Sequence, residues 1–127
     1  MDYVHWQFDK DEDGTGWMVL NVEGSSVNVL KRSVIEEMSA LVWEIEADDS
    51  LTGLCFISGK PGGYVYGADI NEFSILQTEV EVAELMELAH GVFARLEALS
   101  LPTATGINGI AVGGGLEIAL PFGRIVA

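Results

Sequence analysis

Residues 51–70, LTGLCFISGKPGGYVYGADI, decide the fold class because the chain passes there from strand to loop to helix. Residues 51–58 form a continuous apolar run, which is typical of a strand buried on both faces of a parallel sheet. Residues 59–67 are rich in glycine and predict a loop. ADINEF, which follows them, predicts the start of a short helix. A second junction of the same kind follows in residues 103–120, where TATGINGIAV predicts a strand and GGGLEIAL a short helix.

The segments before the first junction predict a hairpin and a long helix. VHWQF (4–8) and GWMVLNV (16–22) are strand-like and are joined by the turn-rich DKDEDGTG. Ser33 and Glu36 have the spacing of a capping box, which predicts Ser33 as the N-cap of a helix. Its apolar positions recur with helical spacing: Val34, Ile35, Met38, Leu41, Val42 and Ile45.

A second long helix is predicted between the two junctions. Thr78 and Glu81 form another capping box, apolar residues follow with helical spacing to about Leu99, and Pro102 ends the element. RIVA (124–127) predicts a fifth strand. The resulting order, β-β-α-β-α-β-α-β, implies crossover connections and an α/β fold with a mainly parallel sheet.

Composition narrows the function classes. The 127-residue chain carries a formal net charge of −14 with six basic residues, so we expect no nucleic-acid binding, because phosphate neutralisation needs clustered Lys and Arg. Cys55, the only cysteine, is expected to be buried and inert. We expect His5 on a strand surface and His90 on a helix face, and no metal site.

The ends of the chain give two further expectations. No signal peptide and no membrane span are predicted, so we expect a cytoplasmic protein. The length fits one small domain. The apolar ending at Ala127 resembles an interrupted strand, which indicates a fragment of a longer protein.

The two strand-to-helix junctions offer a site for a negatively charged oxygen. Ligands bind at the carboxyl ends of parallel strands, and a helix N-terminus presents unpaired N–H groups and a partial positive charge. Two N–H groups aimed at one oxygen form an oxyanion hole. The alternative is that the glycines only make tight turns, and the residues alone leave both interpretations open.

Glu117 lies just past the glycine triplet, within the apolar LEIAL. Desolvation there favours a neutral carboxyl, which suits a general acid or base, whereas the alternative is a glutamate on an exposed helix face. Pro121 should end or kink the helix, because proline cannot donate to the carbonyl of Glu117. Asp69 follows YGA at a helix start, where helix capping and catalysis are both open.

Together, GKPGGYVYGADINEF (59–73) and GINGIAVGGGLEIAL (106–120) resemble the crotonase (enoyl-CoA hydratase/isomerase) superfamily. The lead-in LTGLCFISGKPGGYVYGADI is most similar to the multifunctional fatty-acid-oxidation group, in which a hydratase domain is fused to a 3-hydroxyacyl-CoA dehydrogenase. The resemblance implies a crotonase-like spiral of β-β-α units, truncated after the oxyanion-hole helix. Residues 1–127 would be the N-terminal part of a single crotonase-like domain, with the rest of that domain and any dehydrogenase domain absent.

The resemblance also implies roles for single residues. The backbone N–H groups of Ala68 and Gly114 would hold the acyl-CoA thioester oxygen, and Glu117 matches the first of two glutamates that position or activate water. The second glutamate would lie beyond residue 127. Further substrate contacts are implied for Gly67, Asp69, Ile70, Gly113, Tyr66 and Lys31. Tyr64 and Val65 would border the acyl and pantetheine path with Tyr66, and Arg32 would join Lys31 near the phosphates of CoA.

The implied activity is addition of water to trans-2-enoyl-CoA in fatty-acid β-oxidation. The alternatives are a Δ3,Δ2-enoyl-CoA isomerase, another crotonase-fold acyl-CoA reaction, or a non-catalytic acyl-CoA-binding module. No cofactor is expected in the fragment, whose ligand is a coenzyme A thioester; NAD would be used only by a dehydrogenase domain of the full-length protein. The implied partners are further copies of the chain or a thiolase-containing complex, and the fragment alone is expected to be inactive.

Overall fold

The computed structural model describes residues 3–61, 63–65, 79–107 and 118–126. Within these ranges the chain forms five strands and two long helices in the predicted order: β1 (Trp6–Lys10), β2 (Thr15–Leu20), α1 (Arg32–Ala47), β3 (Gly53–Ser58), α2 (Glu79–Glu97), β4 (Thr103–Gly106) and β5 (Arg124–Val126). Residues 118–119 are also helical.

The five strands form one sheet in chain order, from β1 to β5. β1 and β2 are an antiparallel hairpin, and every later neighbour is parallel, which confirms the predicted mainly parallel sheet. The parallel strands therefore begin at one edge, here named the amino edge, and end at the opposite, carboxyl edge. Thr15 pairs with Gly53 at the amino edge, and Leu20 pairs with Ser58 at the carboxyl edge.

The core lies between one face of the sheet and the helices. All six apolar residues predicted on α1 are buried, and they pack with Met18, Leu54 and Phe56 of the sheet in one cluster. Each such side chain contributes about 1.5–3 kcal/mol by leaving water. The Trp6 indole N–H also donates to the carbonyl of Val34 at 3.0 Å, which fixes β1 against α1.

The start of α1 differs from the prediction. Lys31 is the N-cap and makes no side-chain capping bond, and the helix begins at Arg32. The capping box was therefore wrong, because a distant residue takes up the Ser33 hydroxyl: His5 Nε2 lies 3.1 Å from Ser33 Oγ. His5 Nδ1 accepts the backbone N–H of Glu23 at 3.1 Å, so Nε2 carries the ring proton and donates to Ser33.

Burial corrects two further predictions. His5 is 7% exposed rather than a strand-surface residue. β3 buries Leu54 and Phe56 on one face, whereas Cys55 and Ile57 on the other face are only half-buried. The apolar run thus covers a strand with one buried face, and Cys55 is less buried than expected.

The predictions for α2 agree with the structure in part: the helix ends at Glu97, near the predicted Leu99, but Met86, predicted on its apolar face, is 48% exposed. On α2, Leu85, Val92, Phe93 and Leu96 are buried and His90 is exposed; Thr78, the predicted cap, lies outside the described residues. The short second-junction helix ends at Ala119, and the Phe122 N–H donates to the Ala119 carbonyl at 3.2 Å. The predicted helix end before Pro121 is therefore confirmed.

No helix among the described residues is long and apolar enough to cross a membrane.

Candidate active site

Both predicted junctions leave the carboxyl edge of the sheet from neighbouring strands. β3 runs into residues 59–65, and β4 runs into Ile107. The first residue after β3, Gly59, donates its N–H to the Leu20 carbonyl at 2.8 Å. The ends of β2, β3 and β4 are thus held side by side, which is the arrangement that places two loops around one ligand.

Most residues of the predicted site lie outside the described ranges and stay predictions: Tyr66, Gly67, Ala68, Asp69, Ile70, Gly113, Gly114 and Glu117. The structure describes four of the residues that the resemblance implied as substrate contacts: Lys31, Arg32, Tyr64 and Val65. Arg32 is the first residue of α1. Lys31 lies half-buried at the N-cap of α1 in an extended conformation.

The structure describes buried residues directly before Tyr66 and directly after Glu117. Tyr64 and Val65, just before Tyr66, are fully buried, and Ile118, just after Glu117, is fully buried as well. Tyr64 and Val65 are therefore core residues, and that they border the acyl and pantetheine path stays a prediction. Their role in the described structure is to anchor the start of the predicted site.

A chain of hydroxyl groups joins the two junctions. The Tyr64 hydroxyl lies 2.6 Å from Thr105 Oγ1, and Thr105 Oγ1 donates to the Phe56 carbonyl at 3.0 Å. Thr105 has a single hydroxyl proton and a carbonyl can only accept, so Tyr64 is the donor to Thr105. Burial raises the pKa of Tyr64 well above its usual value, so this hydroxyl keeps the proton that it donates.

The Asn28 side chain forms a second set of hydrogen bonds that joins segments at the carboxyl edge. It is 1% exposed, and its Oδ1 accepts the Val22 N–H at 3.0 Å. Its Nδ2 group has two protons and lies within hydrogen-bond distance of three acceptors, two of which share one proton. The acceptors are the Leu20 carbonyl at 3.0 Å, Ser58 Oγ at 2.8 Å and the Tyr64 carbonyl at 3.0 Å. One buried amide therefore joins the end of β2, the end of β3 and the loop that leads to Tyr66.

Ser58 folds the glycine-rich loop back over the strand end. Its hydroxyl donates to the Gly63 carbonyl at 2.7 Å and accepts the Lys60 N–H at 3.0 Å. Sequence reasoning missed Asn28, Ser58 and Thr105. The available signal was that Asn28 and Ser58 each adjoin an apolar run, VL and LCFI, whereas Thr105 lies in a predicted strand, TATG, that contains a second threonine.

Half of the basic residues of this very acidic chain lie near the carboxyl edge. Three of the six basic residues, Lys31, Arg32 and Lys60, lie in or just after the connections that leave β2 and β3 there. Lys60 Nζ donates to Asn21 Oδ1 at 2.6 Å. Such local cations suit an anionic ligand. Within the described ranges, no group of three or more His, Cys, Asp or Glu residues is arranged to hold a metal ion.

The chain is similar to curated proteins of fatty-acid oxidation. It is 41% identical over 109 residues to the fatty acid oxidation complex subunit alpha of Idiomarina loihiensis, a match that covers 86% of this chain and 15% of that protein. The chain thus spans about one-seventh of the length of such relatives. No protein-family model matches the chain.

Solved structures show the same fold. Pseudomonas aeruginosa PA4980 superposes with a TM-score of 0.84 at 30% identity, covering 100% of this chain and 54% of that chain. The enoyl-CoA hydratase from Bacillus anthracis superposes with a TM-score of 0.87 at 24% identity, covering 96% of this chain and 47% of that one. The fold is therefore the crotonase fold over about half its usual length, and the chain belongs to the crotonase superfamily, related to the alpha subunits of fatty acid oxidation complexes.

Proposed function

We propose that this chain supplies the oxyanion-hole half of an enoyl-CoA hydratase site, where water adds across the 2,3 double bond of trans-2-enoyl-CoA. The single observation that carries the proposal is the buried hydrogen bond between Tyr64 and Thr105, 2.6 Å long. It ties the loop that leads to Ala68 to the strand that leads to Gly114. The similarity to fatty acid oxidation complex alpha subunits supports the same assignment.

In this proposal the backbone N–H groups of Ala68 and Gly114 donate to the thioester oxygen. Attack of water at C3 moves charge onto that oxygen as an enolate, and the two donors stabilise it; removing one such donor typically costs about 2.7–4 kcal/mol. Glu117 orients the water and takes its proton, and a proton is delivered at C2. The second glutamate, which the resemblance places beyond residue 127, shares this work.

The coenzyme A part of the substrate is assigned to the cations that follow β2. Lys31 lies at the N-cap of α1, and Arg32 is the first residue of that helix. A helix N-terminus with two cations favours a phosphate group. In a chain of net charge −14, local cations are needed to offset repulsion of the CoA phosphates.

The wider proposals concern the whole protein. We expect a bifunctional hydratase and 3-hydroxyacyl-CoA dehydrogenase that uses NAD only in the second activity, that is cytoplasmic, and that forms oligomers or a complex with a thiolase. The word "complex" in the name of the relatives supports an assembly of this kind.

The test uses a chimera in which this chain replaces the segment that it matches in the Idiomarina loihiensis alpha subunit. We expect the chimera to hydrate crotonyl-CoA, measured as loss of the enoyl-thioester absorbance, and the chain alone to show negligible turnover. Glu117→Gln should lower kcat by about 10²–10³-fold, because a general acid-base group is lost, with the Kd for butyryl-CoA unchanged. Glu97→Gln, at an exposed position at the end of α2, is the matched control.

A second arm of the same experiment addresses the phosphate contact. Lys31→Ala should weaken crotonyl-CoA binding by about tenfold but leave the KM for S-crotonyl-N-acetylcysteamine, which lacks the nucleotide, unchanged. Lys10→Ala, at the amino edge beside Asp48, is the control. Isomerisation of 3-enoyl-CoA without hydration would contradict the proposal in favour of an isomerase, and full activity of the Glu117→Gln chimera would remove Glu117 from the mechanism.

A further inference from the structure

We infer that the hydroxyl pair of Tyr64 and Thr105 is a positioning device that sets the spacing of the two oxyanion-hole donors. The inference rests on the proposed function, because it assigns a role in that same site. Tyr64 lies four residues before Ala68, and Thr105 lies nine residues before Gly114. Their hydrogen bond is the direct side-chain link between the two junctions that the structure describes.

The burial and the bonding of the Tyr64 and Thr105 hydroxyls restrict the pair to one hydrogen-bonded arrangement. Tyr64 is 0% exposed and Thr105 is 1% exposed, so water does not compete for either hydroxyl. The order of donation is fixed, from Tyr64 to Thr105 and from Thr105 to the Phe56 carbonyl, because the last acceptor has no proton. The two hydroxyl bonds therefore end on the backbone of β3, the strand that leads to Tyr64.

Tyr64 is also held at its other end. Its backbone carbonyl accepts a bond from Asn28 Nδ2 at 3.0 Å, and its ring packs against Phe56 with a centroid distance of 5.2 Å. Backbone, ring and hydroxyl are thus each fixed by a different contact. The residue that begins the predicted site segment has little freedom to move relative to β4.

Such rigidity matters more for the transition state than for substrate binding. Oxyanion-hole donors must lie about 2.7–3.1 Å from the charged oxygen, and supporting residues must hold a site to within about 0.5 Å. A small relative shift of the two segments would weaken the bonds to the enolate. The distant contacts to coenzyme A would remain, so kcat should fall while KM changes little.

The variants remove the hydroxyl groups and keep the shapes. In the chimera, Tyr64→Phe and Thr105→Val should each lower kcat for crotonyl-CoA hydration by about tenfold, with KM within about twofold. The double variant should be no slower than either single variant, because both remove the same bond. Thr105→Ser, which keeps the hydroxyl, should restore kcat to within about twofold.

A spectroscopic readout separates positioning from stability. The oxyanion hole lowers the C=O stretching frequency of bound butyryl-CoA labelled with ¹³C at the thioester carbonyl, and this ligand cannot be hydrated. Tyr64→Phe should reduce that shift, measured by infrared difference spectroscopy. Tyr3→Phe is the control. Among the described residues, Tyr3 is the other tyrosine whose pKa is raised, to about 12, chiefly by burial, and it lies near Glu44 of α1. It should change neither kcat nor the carbonyl shift.

The outcomes distinguish the two proposals. If the unsubstituted chimera neither binds butyryl-CoA nor hydrates crotonyl-CoA, the proposed function fails and this inference fails with it. If the chimera is active and Tyr64→Phe alters only the melting temperature, with kcat and the carbonyl shift unchanged, the positioning role alone is overturned. Failure of Thr105→Ser to restore kcat would overturn it as well.

Discussion

At the amino edge of the sheet, exposed carboxylates close the turns, whereas at the carboxyl edge buried and uncharged side chains join the strands. Asp11 Oδ1 accepts the N–H groups of Asp13 and Thr15, and its Oδ2 accepts the Trp17 indole N–H, all within six residues of sequence. Asp48 likewise accepts the N–H and hydroxyl of Ser50. These are local bonds at exposed or half-exposed positions.

At the carboxyl edge, three buried and uncharged side chains make bonds to partners distant in sequence: Asn28, Tyr64 and Thr105. Asn28 reaches Ser58 across 30 residues of sequence, Tyr64 reaches Thr105 across 41, and Thr105 reaches Phe56 across 49. Such bonds form only after the strands are assembled, since each loop must close first. Bonds between residues distant in sequence also occur at the amino edge, where Lys10 Nζ lies 3.5 Å from Asp48 Oδ2 and Thr52 Oγ1 donates to the Asp13 carbonyl at 2.7 Å. The two edges therefore differ in burial and charge: these amino-edge bonds are exposed or half-exposed and include carboxylates, whereas the bonds of Asn28, Tyr64 and Thr105 are buried and uncharged.

The largest expected effect is the loss of the Asn28 amide. Asn28→Ala should lower the free energy of unfolding by about 3 kcal/mol, because it leaves the Val22 N–H and the carbonyls of Leu20 and Tyr64 buried without that partner. Urea unfolding followed by tryptophan fluorescence gives this quantity by linear extrapolation. Asn21→Ala is the matched control; its amide is exposed and accepts from Lys60, so the cost should stay within about 0.5 kcal/mol.

Equal losses in the two asparagine variants would show that the buried network does not dominate the stability of this edge. The comparison needs only the free energies of unfolding of both variants under one set of conditions.

A smaller effect is expected from acid at the amino edge, where two described carboxyls have a lowered pKa. The bond from the Trp17 indole lowers the pKa of Asp11, and the bond from the Ser50 hydroxyl lowers that of Asp48. Stability from these groups is present above the unfolded carboxyl pKa of about 4 and is lost as pH falls through the lowered pKa values. Asp11→Asn with Asp48→Asn should therefore be less stable than the parent chain near neutral pH, and the difference should shrink at about pH 2.5.

Asn28→Ala serves as the comparison across the same pH range. Its deficit in free energy of unfolding should be the same at both pH values, because no group in its network titrates between them. A deficit that shrinks in acid as much as that of the aspartate variants would contradict the division between a charged and a neutral edge.

The features that the sequence could predict depend on local contacts, and those that it could not predict depend on contacts between residues distant in the chain. The apolar stripe of α1, the order of strands and helices along the chain, and the helix end before Pro121 depend on local periodicity and local sterics, and all were predicted. The roles of Ser33 and His5 were not, because the partner of each lies 28 residues away. Propensity assigned Ser33 to a cap, and tertiary contact gave its hydroxyl to His5 instead.

The candidate site divides in a similar way. Ala68, Gly114 and Glu117 could be named because the two short motifs that contain them, GADI and GGGLEIAL, resemble those of the crotonase superfamily, and the same resemblance implied Lys31. The residues that hold those motifs in place, Asn28 and Thr105 among them, carry no motif. Their importance depends on which strands become neighbours, and only the assembled sheet shows that.

The smallest expected effect links the amino edge to the face of β3 that is less buried. Burial raises the pKa of the Cys55 thiol, and the charge of Asp11 raises it further. At about pH 8 the folded chain should react with Ellman's reagent at least about tenfold more slowly than the chain in urea, because the thiolate is the reactive form. Asp11→Asn removes the charge, lowers the thiol pKa and should speed the folded reaction by less than about threefold.

Asp13→Asn, whose carboxylate does not contribute to that pKa, should leave the rate unchanged. Equal acceleration in both variants would show that net charge, rather than the position of Asp11, controls the thiol.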